Sequence, residues 1–109
     1  AMMASGQNGQ SFAFNGYLPV KEPDRSRAVK RLEARALSEH QSQAFIETPY
    51  RNVKLFGELL QCCAADTVLT VAADITAPTE LIATHTVAEW RRIGVPDIHK
   101  RPAIFIIGK

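Results

Sequence analysis

Ala103-Ile104-Phe105-Ile106-Ile107 is apolar at all five positions, and this run limits the fold more than any other stretch. A strand with one wet face alternates apolar and polar residues, because successive side chains point to opposite sides of a sheet. An unbroken apolar run therefore marks a strand covered on both faces, which belongs near the centre of a sheet rather than at its edge. The other apolar segments supply material to cover it. Ala28, Leu32 and Ala36 recur every four residues, with Val29 and Leu37 beside them, so a helix is expected after Pro23-Asp24. Val53, Phe56, Leu59, Leu60 and Cys63 are expected to form the buried stripe of a second helix. Gly57 inside that helix costs about 1 kcal/mol relative to alanine, which close packing there would account for.

Strands are expected at Ser11–Tyr17, stopped by Pro19, at Gln43–Glu47, at Val68–Ala73 and at Leu81–His85, with a turn at Asp74-Ile75-Thr76-Ala77-Pro78. Thr86-Val87-Ala88-Glu89 has capping-box spacing, so a helix should begin at Val87, pack Val87, Trp90 and Ile93, and end at Gly94 before Pro96. About five strands alternating with about four helices argue an α/β sandwich of two or three layers around a mixed sheet. Ala1-Met2-Met3-Ala4-Ser5-Gly6 reads as the last turns of a helix closed by glycine, and Gln7-Asn8-Gly9-Gln10 as a linker. Residues 1–10 are accordingly expected to join an upstream domain to a domain over residues 11–109.

A chain of 109 residues with 46% apolar composition has the make-up of one ordinary globular domain. Its net charge of +2 does not by itself argue for nucleic acid. No run approaches the length of a membrane span. Cys62 and Cys63 are sequence neighbours without a Cys-x-x-Cys partner pattern, so both read as reduced thiols of a cytoplasmic protein and as small apolar helix residues. His40, His85 and His99 are scattered, and no metal cluster, nucleophile triad or phosphate-binding glycine loop is visible. No catalytic residue is assigned. The face of the first helix opposite its apolar stripe is basic: Arg25, Arg27, Lys30, Arg31 and Arg35.

Two segments carry a more specific message. In Phe45-Ile46-Glu47-Thr48-Pro49-Tyr50-Arg51 a strand breaks straight into a helix, with Thr48 placed as N-cap and Pro49 at the first helical position. Such strand ends commonly hold ligands in α/β proteins. Upstream lies Phe14-Asn15-Gly16-Tyr17-Leu18-Pro19-Val20-Lys21. Together they resemble the C-terminal half of the S-adenosylmethionine-dependent methyltransferases of the tetrapyrrole (corrin/porphyrin) methylase superfamily. The resemblance is nearest to the branch that 2′-O-methylates a cytidine of small-subunit ribosomal RNA, whose pattern reads Phe-x-Gly-Phe/Tyr-Leu-Pro-x-Lys and then Phe-Tyr-Glu-Ser-Pro-His-Arg. It spans nearly the whole chain, Met3 to Gly108, with elements in the family's order.

The resemblance implies a bilobal enzyme in which S-adenosyl-L-methionine lies between an N-terminal domain and this one, held mainly by the former. It implies cofactor contacts at three strand ends: Glu47 and Thr48, where corrin enzymes read Tyr-Met-Gly over the positions of Ile46-Glu47-Thr48; Ile75 and Thr76, in a stretch similar to Ala-Thr-x-Pro-x-Glu; and Pro102 and Ala103 before the last strand. Thr84-His85-Thr86-Val87 loosely matches the family's Arg/Lys-Gly-Thr-Leu junction. Lys21, Arg25 and Arg51 are the expected substrate contacts, ribosomal RNA or the small subunit the expected partner, and a homodimer the expected form of the whole protein. Ala73-Asp74-Ile75-Thr76-Ala77 departs from the ribosomal branch's Arg-Glu-Leu-Thr-Lys by two positive charges, and Tyr50 stands where histidine is common. A corrin or porphyrin acceptor is the rival within the class. From another class, the rival is a non-enzymatic α/β module that binds RNA or protein through its basic helix.

Overall fold

The last strand sits in the middle of the sheet. The computed structural model describes residues 12–74 and 77–108. Within them, β1 (Phe12–Tyr17), β2 (Ser42–Ile46), β3 (Val68–Ala73), β4 (Leu81–Thr86) and β5 (Ala103–Gly108) lie in the order β1-β2-β5-β3-β4. β1 and β2 are parallel, joined by a crossover through α1 (Asp24–Ser38); every other pairing is antiparallel. A 3-10 turn at Pro49–Arg51 leads into α2 (Asn52–Cys62), and α3 (Val87–Ile93) follows β4 without a gap. The described residues thus hold three α-helices and a 3-10 turn. The expected helix end at residues 1–6 and the linker to residue 10 lie outside them.

Register divides the sheet into two faces. Phe45, Phe105, Val71 and Ala83 are aligned across β2, β5, β3 and β4. The same face carries Leu69, Ile107, Ala73 and Ala103 in one core cluster with Ala28, Val29, Leu32 and Ala36 of α1, Leu55, Phe56 and Leu59 of α2, and Val87 and Trp90 of α3. All three helices therefore cover one face. Phe45 and Phe105 lie stacked at its centre with ring centroids 6.1 Å apart. Phe56 meets Trp90 edge-on at 5.2 Å, and the indole N–H donates to the Leu69 carbonyl at 2.8 Å. Burying the ring while pairing its one polar atom avoids the desolvation cost of an orphan donor. The opposite face aligns Ala44, Ile106 and Thr70. These too are buried, together with Ala72, whereas Ile104, the next β5 residue on that face, is only half-buried.

Local signals account for the helix ends and buried faces, with three corrections. At Thr86 the capping box forms in full: its hydroxyl accepts from the Glu89 N–H at 3.2 Å, and the Glu89 carboxylate accepts from the Thr86 N–H at 2.8 Å. Thr48 is extended as an N-cap should be, yet its side chain makes no capping bond; its hydroxyl and its N–H are both turned to the Glu47 carboxylate. The buried stripe of α2 is Asn52, Leu55, Phe56 and Leu59, continued by Cys63 at the C-cap, whereas Val53 is exposed. Ile93 likewise points outward. Both cysteines are free, and burial pushes the Cys63 thiol up to about 12 with help from nearby Glu33, so it stays protonated and unreactive. Among the described residues no helix is long and apolar enough to cross a membrane.

Gly57 has no packing role: it is exposed, and a methyl group added there would meet nothing within 4 Å. Gly57→Ala should raise the unfolding free energy by about 0.5–1 kcal/mol, read as a higher denaturant midpoint at unchanged slope.

Candidate functional site

The C-terminal ends of β1, β2 and β3 and the start of β5 meet at one edge of the sheet, and a cleft of about 590 Å³ opens there. Its floor is one cross-strand row on the face away from the helices: Tyr17 opposite Ile46, Ile46 opposite Ile104, Ile104 opposite Ala72. Glu47, Asp74, Ala77 and Pro102 stand around that row. A volume in the range of about 300–1,000 Å³, an apolar floor and a few polar groups are the usual make-up of a small-molecule site.

Each wall is fixed by a specific interaction. Glu47 is 7% exposed, and its carboxylate receives the Arg25 guanidinium at 2.8 Å and the Thr48 N–H at 2.8 Å. Arg25 also binds Glu58 at 2.8 Å and donates to the Pro19 carbonyl at 3.1 Å. Burial works against its charge, but the hydrogen bonds it donates to Glu58 and Glu47 prevail and raise its pKa. One buried arginine thus ties α1, the Leu18–Lys21 loop, the end of β2 and α2 together. On the far wall, Asp74 has φ 51°, a backbone region that Asp and Asn enter more readily than most residues. Its carboxylate accepts from Arg101 at 2.7 Å and from the Thr79 hydroxyl at 2.9 Å, and its N–H donates to the Pro102 carbonyl at 2.9 Å. The turn after β3 is thereby clamped to the entry of β5.

Asn52 holds the third side. It is fully buried, and its amide N–H groups donate to the carbonyls of Ile98 at 3.1 Å and Arg101 at 2.6 Å. The Lys100 N–H donates to the Pro49 carbonyl at 3.0 Å. These bonds anchor the loop that delivers Pro102 and Ala103 to the cleft. The Asn52 carbonyl oxygen has no partner among the described residues.

The expected cofactor positions Glu47, Pro102 and Ala103 line this one cleft, with Thr48 next to Glu47. Ile75 and Thr76 lie outside the described residues; their neighbours Asp74 and Ala77 line the cleft. The expected substrate contacts lie apart from that cleft. Arg25 belongs to the buried side of α1, not to its basic face, because its charge is taken up by Glu47 and Glu58. Arg51 lines a separate hollow with Arg25, Val20 and Lys54, its guanidinium carbon 5.6 Å from the Tyr50 ring centre. Lys21 is exposed on the loop after β1. Asn52 and Arg101 are the structural residues that sequence reasoning missed. Asn52 gives one signal, being in helical phase with Phe56, Leu59 and Cys63; Arg101 gives none, since its partners Asp74 and Thr79 are distant in sequence. Among the described residues no group of three His, Cys, Asp or Glu could hold a metal ion.

Removing Arg25 strands a buried carboxylate, which typically costs about 3–5 kcal/mol. Arg25→Met should lower the unfolding free energy by about that much, and Glu58→Gln by much less because Glu58 is partly solvated. The Arg101 and Thr79 hydrogen bonds hold the Asp74 carboxyl below the ordinary 3.8. Unfolding then takes up a proton at low pH, so this contribution is present above the unfolded value and is lost as pH falls through the folded one. Asp74→Asn, which keeps the backbone conformation accessible, should flatten the acid side of the stability profile below about pH 4.

No protein-family model matches the chain, and no curated protein matches it. Solved structures do. The methyltransferase CobJ matches with a TM-score of 0.60 at 19% identity, over 100% of this chain and 46% of its own. Uroporphyrin-III C-methyl transferase from Thermus thermophilus, complexed with S-adenyl homocysteine, gives 0.55 at 16% identity, over 100% and 46%. The cobalamin biosynthetic enzyme cobalt precorrin-4 methyltransferase, CbiF, gives 0.51 at 20% identity, over 91% and 40%. The chain spans less than half the length of the solved structures it matches. At these identities the likeness is one of fold: five strands and their helical layer are arranged as in part of a tetrapyrrole methyltransferase.

Proposed function

We propose that this chain is the nucleoside-binding part of an S-adenosylmethionine-dependent methyltransferase whose acceptor is a tetrapyrrole. The observation that carries the reading is the cleft in which the ends of β1, β2 and β3 meet the start of β5, in a fold shared with solved methyltransferases, one of them complexed with S-adenyl homocysteine. The residues present fit such a donor. A floor of Ile46, Ile104 and Ala72 suits a flat nucleoside base, and the peptide groups about Pro102 and Ala103 suit its polar edges. When bound, the donor supplies a methyl group on a sulfonium whose leaving group is neutral, so the transfer asks for alignment and exclusion of water rather than an acid or base. That demand agrees with a site built from backbone and shape. Arg25, Asn52 and Arg101 hold the walls, and no side chain of the cleft needs to exchange a proton.

The tetrapyrrole acceptor is supported by the names of the matching enzymes, which act on uroporphyrin-III and cobalt precorrin-4. A ribosomal RNA acceptor is the second reading, favoured by the Phe14–Lys21 and Phe45–Arg51 segments. The test uses the full natural polypeptide. Calorimetry should detect S-adenosylhomocysteine binding that is lost in Ala77→Trp, a change at an exposed position that fills the cleft without touching the core. Labelled methyl groups should then appear in precorrin-type tetrapyrroles and not in small ribosomal subunits. Label in RNA alone would move the acceptor to the second reading. No S-adenosylhomocysteine binding at all would remove the methyltransferase.

A further inference from the structure

Beside the cleft lies a second hollow of about 210 Å³, lined by Tyr17, Leu18 and Pro19 from the end of β1 and by Arg31 and Arg35 from α1. Tyr17 lines both. It reaches this position through an irregularity in β1: the register with β2 shifts between Phe14 and Tyr17, and Gly16 there has φ 67°. A bulge of this kind re-aims the side chain that follows it, and glycine is the residue that adopts the required backbone without strain. The outcome is an aromatic ring, 63% exposed, standing between an apolar cleft and a pair of guanidinium groups.

The charge on that lip is only weakly compensated. Arg31 and Arg35 are one helical turn apart, about 6 Å along the axis, and Arg27 continues the row. Arg27 and Arg31 are exposed and form no ion pair among the described residues. Arg35 pairs with Glu39 at 3.4 Å, but both are about half exposed, and such a pair is weak and screened by salt. Asp24 at the start of α1 and Glu39 just beyond its end are the carboxylates nearest this row by helical spacing. Guanidinium groups bind carboxylate or phosphate through paired hydrogen bonds, and an adjacent ring offers a stacking surface to a planar group.

We propose that Arg31, Arg35 and Tyr17 form the entry lip for an anionic, ring-bearing acceptor, gripping its carboxylates or phosphates while a ring lies against Tyr17 at the edge of the cleft. The inference rests on the methyltransferase reading for its direction, and it adds the residues that select the acceptor. A polycarboxylate tetrapyrrole and a single-stranded RNA share this chemistry, and the experiment separates them. Uroporphyrin III and a fluorescein-labelled ribo-oligonucleotide are each titrated into the full natural polypeptide at 50 and 200 mM salt, with S-adenosylhomocysteine affinity measured in parallel. Arg31→Gln/Arg35→Gln should weaken one of the two probes about tenfold and reduce its salt dependence, leaving S-adenosylhomocysteine affinity unchanged. Tyr17→Leu should weaken the same probe several-fold with its salt dependence intact, and Arg92→Gln on α3 should match the unaltered protein. Either probe responding in this pattern upholds the lip and names the acceptor class. Failure of both probes to bind, or equal binding by the double variant, overturns it. Loss of S-adenosylhomocysteine binding by the unaltered protein would instead defeat the methyltransferase reading, since the probe titrations report on the lip alone.

Discussion

The sheet is held together by the hydrogen bonds of β5 on both of its edges. β1 and β2 form one parallel unit and β3 and β4 one hairpin, and the two units meet only through β5, which pairs with β2 on one side and β3 on the other. The strand that completes the sheet is therefore the last in sequence. Its partners in β2 are some sixty residues upstream, so closing the sheet sets long-range contacts against chain entropy, and the apolar burial of Phe105, Ile106 and Ile107 has to outweigh that cost. The same closure creates the cleft, because it brings Pro102 and Ala103 beside the ends of β2 and β3. Fold and site have one origin.

How far the fold could be read from residues follows from where the physical signal lies. The central position of β5 was legible because an unbroken apolar run suits neither a wet face nor a sheet edge. The capping box at Thr86 and Glu89 was legible because both partners fall within four residues. The stripe of α2 was read correctly at Phe56, Leu59 and Cys63, but with Val53 in place of Leu55. A 3-10 turn precedes that helix, and the polar Asn52 occupies a buried position that an apolar pattern does not reveal. Arg25 shows the limit most clearly. It is in phase with Ala28, Val29, Leu32 and Ala36, so periodicity places it inside, while its residue type suggests the surface. Only partners distant in sequence, Glu47 and Glu58, resolve the conflict in favour of burial.

The candidate site was legible in its backbone and opaque in its charges. Strand ends follow from the same patterns that give strands, and the family resemblance singled out Glu47, Pro102 and Ala103 among them, which line one cleft. Ion pairs between separate elements leave no local trace. For that reason the residues alone did not show that Arg25 and Arg51 border one hollow away from the cleft, or that Arg31 and Arg35 meet Tyr17 beside it. Their meeting depends on a bulge at Gly16 that changes which way one ring points.

The charges at the site are sorted by position. Both carboxylates at the cleft are committed to an arginine, Glu47 to Arg25 and Asp74 to Arg101. The cleft therefore presents apolar surface and peptide groups with little net field, which is the environment an uncharged nucleoside needs and a free carboxylate would disturb. Outside the cleft the balance reverses, since the row on α1 holds guanidinium groups that no buried acid neutralises. A polyanion drawn to that row would be held at the lip rather than in the cleft. Under the proposed function, electrostatics would keep donor and acceptor from competing for one pocket before shape becomes important. Tyr17 is the contact between the two regions, and its placement by a glycine bulge gives the Phe14-Asn15-Gly16-Tyr17 segment a physical purpose beyond forming an edge strand.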